Sequence, residues 1–315
     1  MKPEMLLYVG DALSKYGFPD GHPFSTDRQG AFWTEAKRLG LDARVRMGAP
    51  RSATWEELLR FHDDAHLRWV ETCSNRGYGY IDSGDTPAFP GAFEAAACIV
   101  GTALEGLRCI MADEARRTFQ PVGGMHHSRR DRAAGFCVFN DIGVVIDTLR
   151  AIYGVKRVAY VDIDVHHGDG VFYSYESDPD LIVVDIHEDG NYLYPGTGHG
   201  HETGKGNAEG SKLNVAMAPG SYDREFFAAW ELAEDHLRRH APQFIIMQAG
   251  ADGLAGDPLA HLCYTSAVHA HATRRLLDLA RQFTGGRIMV FGGGGYELGN
   301  IASAWTAVLN EMTAP

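Results

Sequence analysis

Acidic and histidine side chains are concentrated between residues 157 and 173, where the sequence reads RVAYVDIDVHHGDGVFY. Within eight residues lie Asp162, Asp164, His166, His167 and Asp169. Burying unpaired carboxylates in a protein core costs several kcal/mol each, so this cluster requires a compensating positive charge. Carboxylate and imidazole together are ligands for zinc, ferrous iron, cobalt or manganese. The segment therefore predicts a divalent-metal site.

The apolar residues around these acids predict a β-strand. Because side chains alternate across a strand, Asp162, Asp164 and His166 would share one face, at intervals of about 7 Å. The alternative is a buried hydrogen-bonded acid network without a metal. It is disfavoured because acids at i and i+2 repel one another, and a cation relieves that repulsion.

A second acidic segment, MQAGADGLAGDP, follows another apolar strand-like run. Either Asp252 or Asp257 could complete a three-ligand site with one open position, which is the catalytic arrangement. Each could instead cap a turn or a helix, and Asp257 precedes Pro258 in a turn-like GDP sequence. The residues alone leave both ligand assignments open.

Adjacent histidines occur in the glycine-rich segment GGMHHSRRDRAAGFCVFND. His126 or His127 could act as a base near neutral pH if a carboxylate tunes its pKa. Asp162 and Asp169 are surplus to a three-ligand metal site and are candidates for that tuning. Taken alone, an adjacent histidine pair is more often structural than catalytic.

The segment MVFGGGGYELGN places four glycines and then Tyr296 after a predicted strand. Such a run usually marks a close approach to the backbone. No Lys-Ser/Thr follows it, so a phosphate-binding P-loop is excluded. The Tyr296 hydroxyl could instead donate a hydrogen bond to an oxyanion.

Two further histidine pairs are interpreted as structural. His62 and His66 lie four residues apart in a predicted amphipathic helix, but Asp63 replaces the glutamate of an HExxH metal motif. His199 and His201 lie in GTGHGHETGKGN, which predicts a surface loop.

The elements that must position these residues alternate along the chain. Short apolar strands are predicted at KRVAYVDID, LIVVDIH, QFIIMQAG and RIMVFGGGG, with amphipathic helices between most of them. This pattern predicts a parallel sheet covered on both faces, in which sites form at the carboxyl ends of strands. No linker or repeat divides the chain, so we expect one α/β domain over residues 1–315.

Composition restricts the classes of function. The chain has 315 residues, 45% of them hydrophobic, and a formal net charge of −12. This charge disfavours nucleic-acid binding and would attract a cationic substrate or a basic peptide. The five scattered cysteines lack CxxC spacing, and neither a signal peptide nor a membrane span is predicted, so we expect a cytoplasmic protein.

With these motifs in the order given, the sequence resembles the histone deacetylase superfamily, which includes acetoin-utilisation proteins and acetylpolyamine amidohydrolases. The resemblance rests on GGMHHSRRDRAAGFCVFND, YVDIDVHHGDGV, YPGTG, GADGLAGDP and GGGGYELGN, and spans roughly residues 20–310. It implies an arginase-like α/β fold with a central eight-stranded parallel sheet. It also implies zinc-dependent hydrolysis of an acetylated amine.

The resemblance implies a role for each candidate residue. The zinc ligands would be Asp164, His166 and Asp252, with Fe²⁺ or Co²⁺ as substitute ions. The catalytic residues would be His126, His127, their acid partners Asp162 and Asp169, and the carbonyl-polarising Tyr296. The residues contacting substrate would be Asp85 at the rim and Gly135, Phe136 and Tyr194 along a narrow tunnel. A structural K⁺ would bind near Asp162, Asp164, His166 and the strand ending at Ile186.

The resemblance leaves several substrates and functions open. The expected substrate is an acetylated lysine peptide or protein, and an acetylpolyamine is the alternative. A binuclear-manganese ureohydrolase of the same fold and a silent acetyl-lysine-binding protein are further alternatives. Met125 and Ser128 flank the histidine pair unusually and should tune activity. Glu188 and Asp189 are expected to make the tunnel rim acidic.

Overall fold

The structure, a computed structural model, describes residues 5–19 and 21–314, so the predicted domain limits at residues 1 and 315 lie outside it. The strands are β1 (Met5–Leu7), β2 (Arg46–Met47), β3 (Arg117–Gln120), β4 (Val158–Asp162), β5 (Leu181–Glu188), β6 (Lys212–Met217), β7 (Phe244–Gln248) and β8 (Ile288–Phe291). All neighbouring strands pair in parallel, in the order β2-β1-β3-β8-β7-β4-β5-β6. The predicted α/β fold with an eight-stranded parallel sheet is confirmed.

Helices cover both faces of this sheet. They are α1 (Asp11–Ser14), α2 (Arg28–Arg38), α3 (Trp55–Leu58), α4 (Asp64–Arg76), α5 (Ala92–Met111), α6 (Asp141–Tyr153), α7 (Asp169–Ser174), α8 (Asp223–His240), α9 (Ala267–Phe283) and α10 (Leu298–Met312). Val158 and Tyr160 of β4 face a core shared with α4, α5 and α6, whereas Ala159 and Val161 face α2, α8, α9 and α10. Both faces are buried, which explains why the strands read as nearly continuous apolar runs. Among the described residues, no helix combines the length and the apolar character that a membrane span requires.

Strand β4 is shorter than the sequence predicts. It ends at Asp162, so the expectation that Asp164 and His166 continue its alternation is wrong. The chain turns because side chains bind the backbone: Asp162 Oδ1 accepts from the Asp164 N–H at 3.0 Å, and Asp164 Oδ1 accepts from the His166 N–H at 3.0 Å. Aspartates favour such local turns over a continued strand.

The predicted helix around His62 is also interrupted. Helix α3 ends at Leu58, and α4 begins after Asp63, whose carboxylate caps it by accepting from the His66 N–H at 2.8 Å. His62 therefore precedes the helix and does not share a helical face with His66. The N-cap preference of aspartate explains the break.

The four central strands end at the same level of the sheet. Asp162 pairs with Gln248, Gln248 pairs with Phe291, and Phe291 pairs with Gln120. The segments that follow these strands therefore leave the sheet side by side. They are residues 121–127, 163–169, 249–257 and 292–296, which contain the predicted metal ligands, the histidine pair, Asp169 and Tyr296.

Candidate functional site

Asp164, His166 and Asp252 form a buried cluster whose potential ligand atoms all lie within 4.8 Å of one another. Nδ1 of His166 is 3.1 Å from Asp164 Oδ1 and 3.2 Å from Asp252 Oδ2. Within residues 5–19 and 21–314, no other group of three histidine, cysteine or acidic side chains has this spacing. The predicted zinc ligands are thus brought together from two separate loops.

The electrostatics of this cluster fit a divalent cation. Burial and the Asp164 carboxylate raise the pKa of Asp252 to about 7, and Asp252 Oδ2 accepts no hydrogen bond. Burial alone would lower the pKa of His166, but Asp164 and Asp252 outweigh it and raise this pKa to about 10. A cation coordinated by these groups would displace the imidazole proton and offset both carboxylates.

Backbone and amide groups fix the second oxygen of Asp164. Its Oδ2 accepts from Gln248 Nε2 at 2.7 Å and from the Gly294 N–H at 2.8 Å. Glycine is required opposite the cluster, because a Cβ on Gly250 or Gly294 would lie only 2.1 Å from a carboxylate oxygen. Sequence reasoning missed Gln248, although its position at the end of β7 was a usable signal.

Asp257 lies outside the cluster and binds the backbone. Its Oδ1 accepts from the Leu259 N–H at 3.0 Å, and its Oδ2 accepts from the Tyr296 N–H at 2.8 Å. Asp257 thereby connects the loop after β7 to the backbone of Tyr296. The cluster contains Asp252 and not Asp257, so the geometry favours Asp252 as a ligand.

His126 and His127 form two parallel pairs with aspartates. Nδ1 of His126 is 2.8 Å from Asp162 Oδ2, and Nδ1 of His127 is 2.7 Å from Asp169 Oδ1. The two Nε2 atoms lie 3.1 Å apart. Because each Nδ1 donates to a carboxylate, a single proton between the Nε2 atoms would relieve their repulsion. The pair is suited to take up and deliver one proton.

The two aspartates have different environments. Burial, Asp185 and Asp164 raise the pKa of Asp162, although the Tyr160 hydroxyl donates to it. Burial would also raise the pKa of Asp169, but His127 and Arg129 lower it to about 2. Burial and His126 lower the pKa of His127 to about 4. At neutral pH His127 is therefore uncharged and Asp169 is ionised.

A cavity of about 240 Å³ leads to the histidines and the cluster. It is lined by Asp85, His127, Gly135, Phe136, His166, Leu193, Tyr194, Leu259 and Tyr296. All four residues predicted to contact substrate line this cavity, and sequence reasoning missed Leu193 and Leu259. Gly135 has φ +54°, and a Cβ there would lie 2.4 Å from the His127 ring. Substrate contact by these residues stays a prediction.

Tyr296 follows the glycine run and lines the same cavity as His127. Its ring packs edge-on against Phe136 at 5.8 Å and Phe24 at 6.4 Å between centroids. Burial and the carboxylates of Asp252 and Asp164 raise its pKa. The phenol therefore remains protonated and can donate a hydrogen bond into the cavity.

The buried side chain of Arg28 binds the backbone of the glycine run at residues 292–295. This residue is only 2% exposed, and its guanidinium donates to the carbonyl oxygens of Gly293 and Gly295. Its Cζ lies 3.9 Å from the centre of the Phe24 ring. Sequence reasoning did not single out Arg28, which ends the segment GHPFSTDR.

The rim differs from the expectation at Glu188. This residue is 1% exposed, and its carboxylate accepts a hydrogen bond from the backbone N–H of His261 and contacts the His261 ring. The prediction that Glu188 makes the rim acidic is therefore wrong. Asp189 is partly exposed and accepts from Asn191. At Asp85, burial and the neighbouring Asp82 raise the pKa to about 7.

The other histidines near the candidate motifs contact loop segments. His62 Nε2 accepts from the Asn140 N–H at 2.9 Å, and His66 Nε2 donates to the Val138 carbonyl at 2.9 Å, so both hold the segment after the histidine pair. His167 Nδ1 contacts Thr197 Oγ1 at 2.8 Å. His199 and His201 stack on each other at 5.7 Å.

The unusual neighbours of the histidine pair are both buried. The Met125 N–H donates to Asp141 at 2.8 Å, and the Ser128 hydroxyl donates to the Val138 carbonyl at 3.0 Å. Both residues therefore shape the backbone that carries the histidines. Their effect on activity stays a prediction, as does the K⁺ site beside Asp162.

Comparison with known proteins agrees with this geometry. A model of the histone deacetylase domain matches residues 22–312. The chain is 34% identical to the acetoin utilization protein AcuC of Bacillus subtilis, covering 99% of this chain and 82% of that protein. It is also 34% identical to a histone deacetylase-like amidohydrolase of Pseudomonas aeruginosa, covering 87% and 72%.

A solved structure gives the same result. The crystal structure of the HDA15 HD domain superposes with a TM-score of 0.91 at 28% identity, covering 99% of this chain and 89% of that one. The sheet, the buried Asp-His-Asp cluster and these similarities agree, and they identify a deacetylase hydrolase. The chain belongs to the histone deacetylase family.

Proposed function

We propose that the protein is a metal-dependent deacetylase that removes acetyl or other short acyl groups from lysine side chains or related acylated amines. One observation carries the proposal: His166 of the Asp164–His166–Asp252 cluster, His127 of the histidine pair and Tyr296 all line one cavity. Each of these groups, taken alone, could serve a purely structural role. Together they supply the components that hydrolysis of an unactivated amide requires.

Asp164, His166 and Asp252 would hold the metal, with Zn²⁺ as the expected ion and Fe²⁺ or Co²⁺ as substitutes. The set of two carboxylates and one imidazole contains no thiolate and leaves coordination positions open, as in catalytic zinc sites. When bound, the ion would supply Lewis acidity, polarising the amide carbonyl and lowering the pKa of a water.

His127 is proposed to take the proton of the attacking water and later to protonate the leaving amine. Its Nδ1 donates to Asp169, so its Nε2 is the basic atom. The lowered pKa of His127, about 4, keeps this nitrogen free at neutral pH. His126, whose Nε2 lies 3.1 Å away, would share the proton between the two steps.

Tyr296 is proposed to donate a hydrogen bond to the oxyanion that forms on the attacked carbonyl. The hydroxyl remains protonated because burial and two nearby carboxylates raise its pKa. Arg28 fixes the glycine run that carries Tyr296, and Asp257 binds the Tyr296 backbone. These contacts preorganise the donor before substrate binds, which is the source of such stabilisation.

The cavity supports an acyl amine on a linear stem. Its volume of about 240 Å³ suits an unbranched chain, and its walls include Phe136, Leu193 and Leu259. Asp85 lies at the mouth and would bind either a substrate amide or an amine. The raised pKa of Asp85, about 7, means that a cationic group would stabilise its charged form, which favours acetylpolyamines as the second candidate.

A binuclear ureohydrolase fits less well. A second metal ion would require more free carboxylates beside the cluster, and the neighbouring Asp162 and Asp169 each bind a histidine instead. A silent acetyl-lysine-binding protein would not need the histidine pair or Tyr296.

The test is a turnover comparison of metal-reconstituted enzyme on acetyl-lysine peptides, acetylpolyamines and longer acyl-lysines, with His127→Ala as a control. We expect hydrolysis of at least one class and its loss in the variant. Unchanged turnover by His127→Ala, or none by the wild type on any acylated amine, would contradict the proposal.

A further inference from the structure

The two histidine–aspartate pairs differ in one charged partner. Besides His126, Asp162 accepts hydrogen bonds from neutral groups, the Tyr160 hydroxyl and the Asp164 N–H. Asp169 instead lies between an imidazole and a guanidinium. Its Oδ1 is 2.7 Å from Nδ1 of His127, and its Oδ2 is 2.7 Å from Nη2 of Arg129.

We propose that Arg129 is a positioning residue that acts through Asp169 and holds His127 in the orientation needed for proton transfer. This inference rests on the proposed role of His127. Arg129 does not line the cavity, so it has no direct route to the substrate. Its contribution should therefore appear in the rate of the chemical step and leave substrate binding nearly unchanged.

The contact with Arg129 fixes the plane of the Asp169 carboxylate. A carboxylate with a single hydrogen-bond donor can rotate, whereas a charge-assisted bond on its second oxygen prevents that rotation. The Asp169 side chain is only 5% exposed, so water has little room to replace the guanidinium. With Oδ2 held by Arg129, Oδ1 stays directed at Nδ1 of His127, and Nε2 faces His126.

Arg129 is itself in contact with the ring of Tyr173. Its side chain is 29% exposed, and its Cζ lies 5.1 Å from the centre of the Tyr173 ring. The Tyr173 hydroxyl donates to Glu202 Oε2 at 2.6 Å, and Glu202 Oε1 accepts from the Gly198 N–H at 2.8 Å. A continuous series of contacts therefore connects the surface loop beyond Tyr194 to His127.

Arg129 has two opposing effects on His127. Its charge partly offsets that of Asp169, which makes His127 a weaker base, whereas its hydrogen bond orients the carboxylate. Orientation should dominate, because a misplacement of about 1 Å costs about 10²-fold in rate. Removing Arg129 should accordingly slow the enzyme, although it would strengthen the field of Asp169 at His127.

The experiment compares kcat and KM of Arg129→Ala, Arg129→Lys and Arg132→Ala in metal-reconstituted enzyme. Arg132 is the matched control, because it lies on the same loop, is 55% exposed and pairs with its neighbour Asp131. We expect Arg129→Ala to lower kcat about 10- to 100-fold with KM within about twofold. Arg129→Lys should recover part of kcat, and Arg132→Ala should match the wild type.

A double-mutant cycle with Asp169→Asn tests whether the effect passes through Asp169. We expect Arg129→Ala to slow the Asp169→Asn enzyme no further than about twofold. Multiplicative losses, or a folded Arg129→Ala enzyme with wild-type kcat, would overturn the inference. If Arg129→Ala does not fold, as judged by circular dichroism, Arg129→Gln replaces it under the same criteria.

If the proposed function is wrong, the variants should behave differently than if only the Arg129 inference is wrong. In that case His127→Ala would retain wild-type turnover, or the wild type would hydrolyse no acylated amine. Failure of the Arg129 inference alone would leave His127→Ala inactive and Arg129→Ala fully active. The same set of variants therefore separates the two conclusions.

Discussion

Adding one methyl group at Gly294 should disable the metal-ligand cluster without changing a ligand. The backbone of Gly294 is not left-handed, so alanine is acceptable to its conformation. The new Cβ would lie 2.1 Å from Asp252 Oδ2 and 2.8 Å from Asp164 Oδ2. Contacts under 3.0 Å essentially never occur for real Cβ atoms, so Asp252 must move by about 0.9 Å.

Such a displacement should weaken metal binding strongly. Changes in groups that merely support metal ligands cost about 10- to 100-fold in affinity or activity, and a 1 Å misplacement costs about 10²-fold in rate. We therefore expect Gly294→Ala to bind Zn²⁺ at least about 100-fold more weakly. Its kcat/KM at limiting zinc should fall by at least that factor. Chelator competition measures the affinity, and turnover of an acetyl-lysine peptide measures the activity.

Gly30→Ala is the matched control for this experiment. Gly30 is exposed within α2, and a Cβ there would meet nothing within 4 Å. This variant should bind zinc like the wild type and gain about 0.5–1 kcal/mol in the free energy of unfolding, because alanine favours a helix. A Gly294→Ala protein with wild-type zinc affinity would refute the placement of the ion between Asp164 and Asp252.

Three further predictions follow from the same contacts. Tyr296→Phe should lower kcat about 10²- to 10³-fold and keep its zinc, and full activity would remove this hydroxyl from the mechanism. Gly135→Ala, with its Cβ 2.4 Å from the His127 ring at φ +54°, should lower both the melting temperature and kcat; wild-type values for both would contradict this. His269 is buried and donates to the Gly250 carbonyl, and burial lowers its pKa from 6.5 to about 4. At this residue the unfolded chain binds a proton more readily than the folded chain. The contribution of His269 to the stability of the folded state is therefore fully present above pH 6.5 and decreases as the pH falls toward 4. When the pH falls from 7 to 5, the free energy of unfolding from urea denaturation should decrease by about 2 kcal/mol more for the wild type than for His269→Gln. This value corresponds to about 1.5 pH units at 1.36 kcal/mol each. Equal decreases in the two proteins would refute the prediction.

The sequence predicted the parts of the fold that have strong local patterns. Strands β4, β7 and β8 lie within the predicted apolar runs, and β5 extends one residue beyond its run, to Glu188. The outer strands β1 and β2 contain three and two residues, too few to show a period. Strand β3 and strand β6 contain polar residues such as Arg117 and Lys212 that are buried in the fold through long-range contacts. No local pattern reveals such burial.

At the site, residue types identified the candidate residues, but the sequence did not reveal their backbone conformation or burial. The motifs singled out Asp164, His166, Asp252 and the histidine pair, which the structure brings together. The turn after Asp162 was missed because a side chain–backbone bond ends the strand against the apolar pattern. Glu188 was misplaced for a related reason, since its burial depends on His261, which is distant in sequence.

The claim of a single catalytic metal is tested by metal stoichiometry measured together with turnover. Chelator-treated protein should be inactive on every acylated amine. Addition of Zn²⁺ should restore activity in proportion to occupancy, up to one ion per chain. Asp252→Asn should remain folded, bind zinc weakly and stay inactive at stoichiometric zinc. Full turnover by the metal-free chain, or a requirement for two manganese ions per chain, would contradict a single catalytic metal held by Asp164, His166 and Asp252.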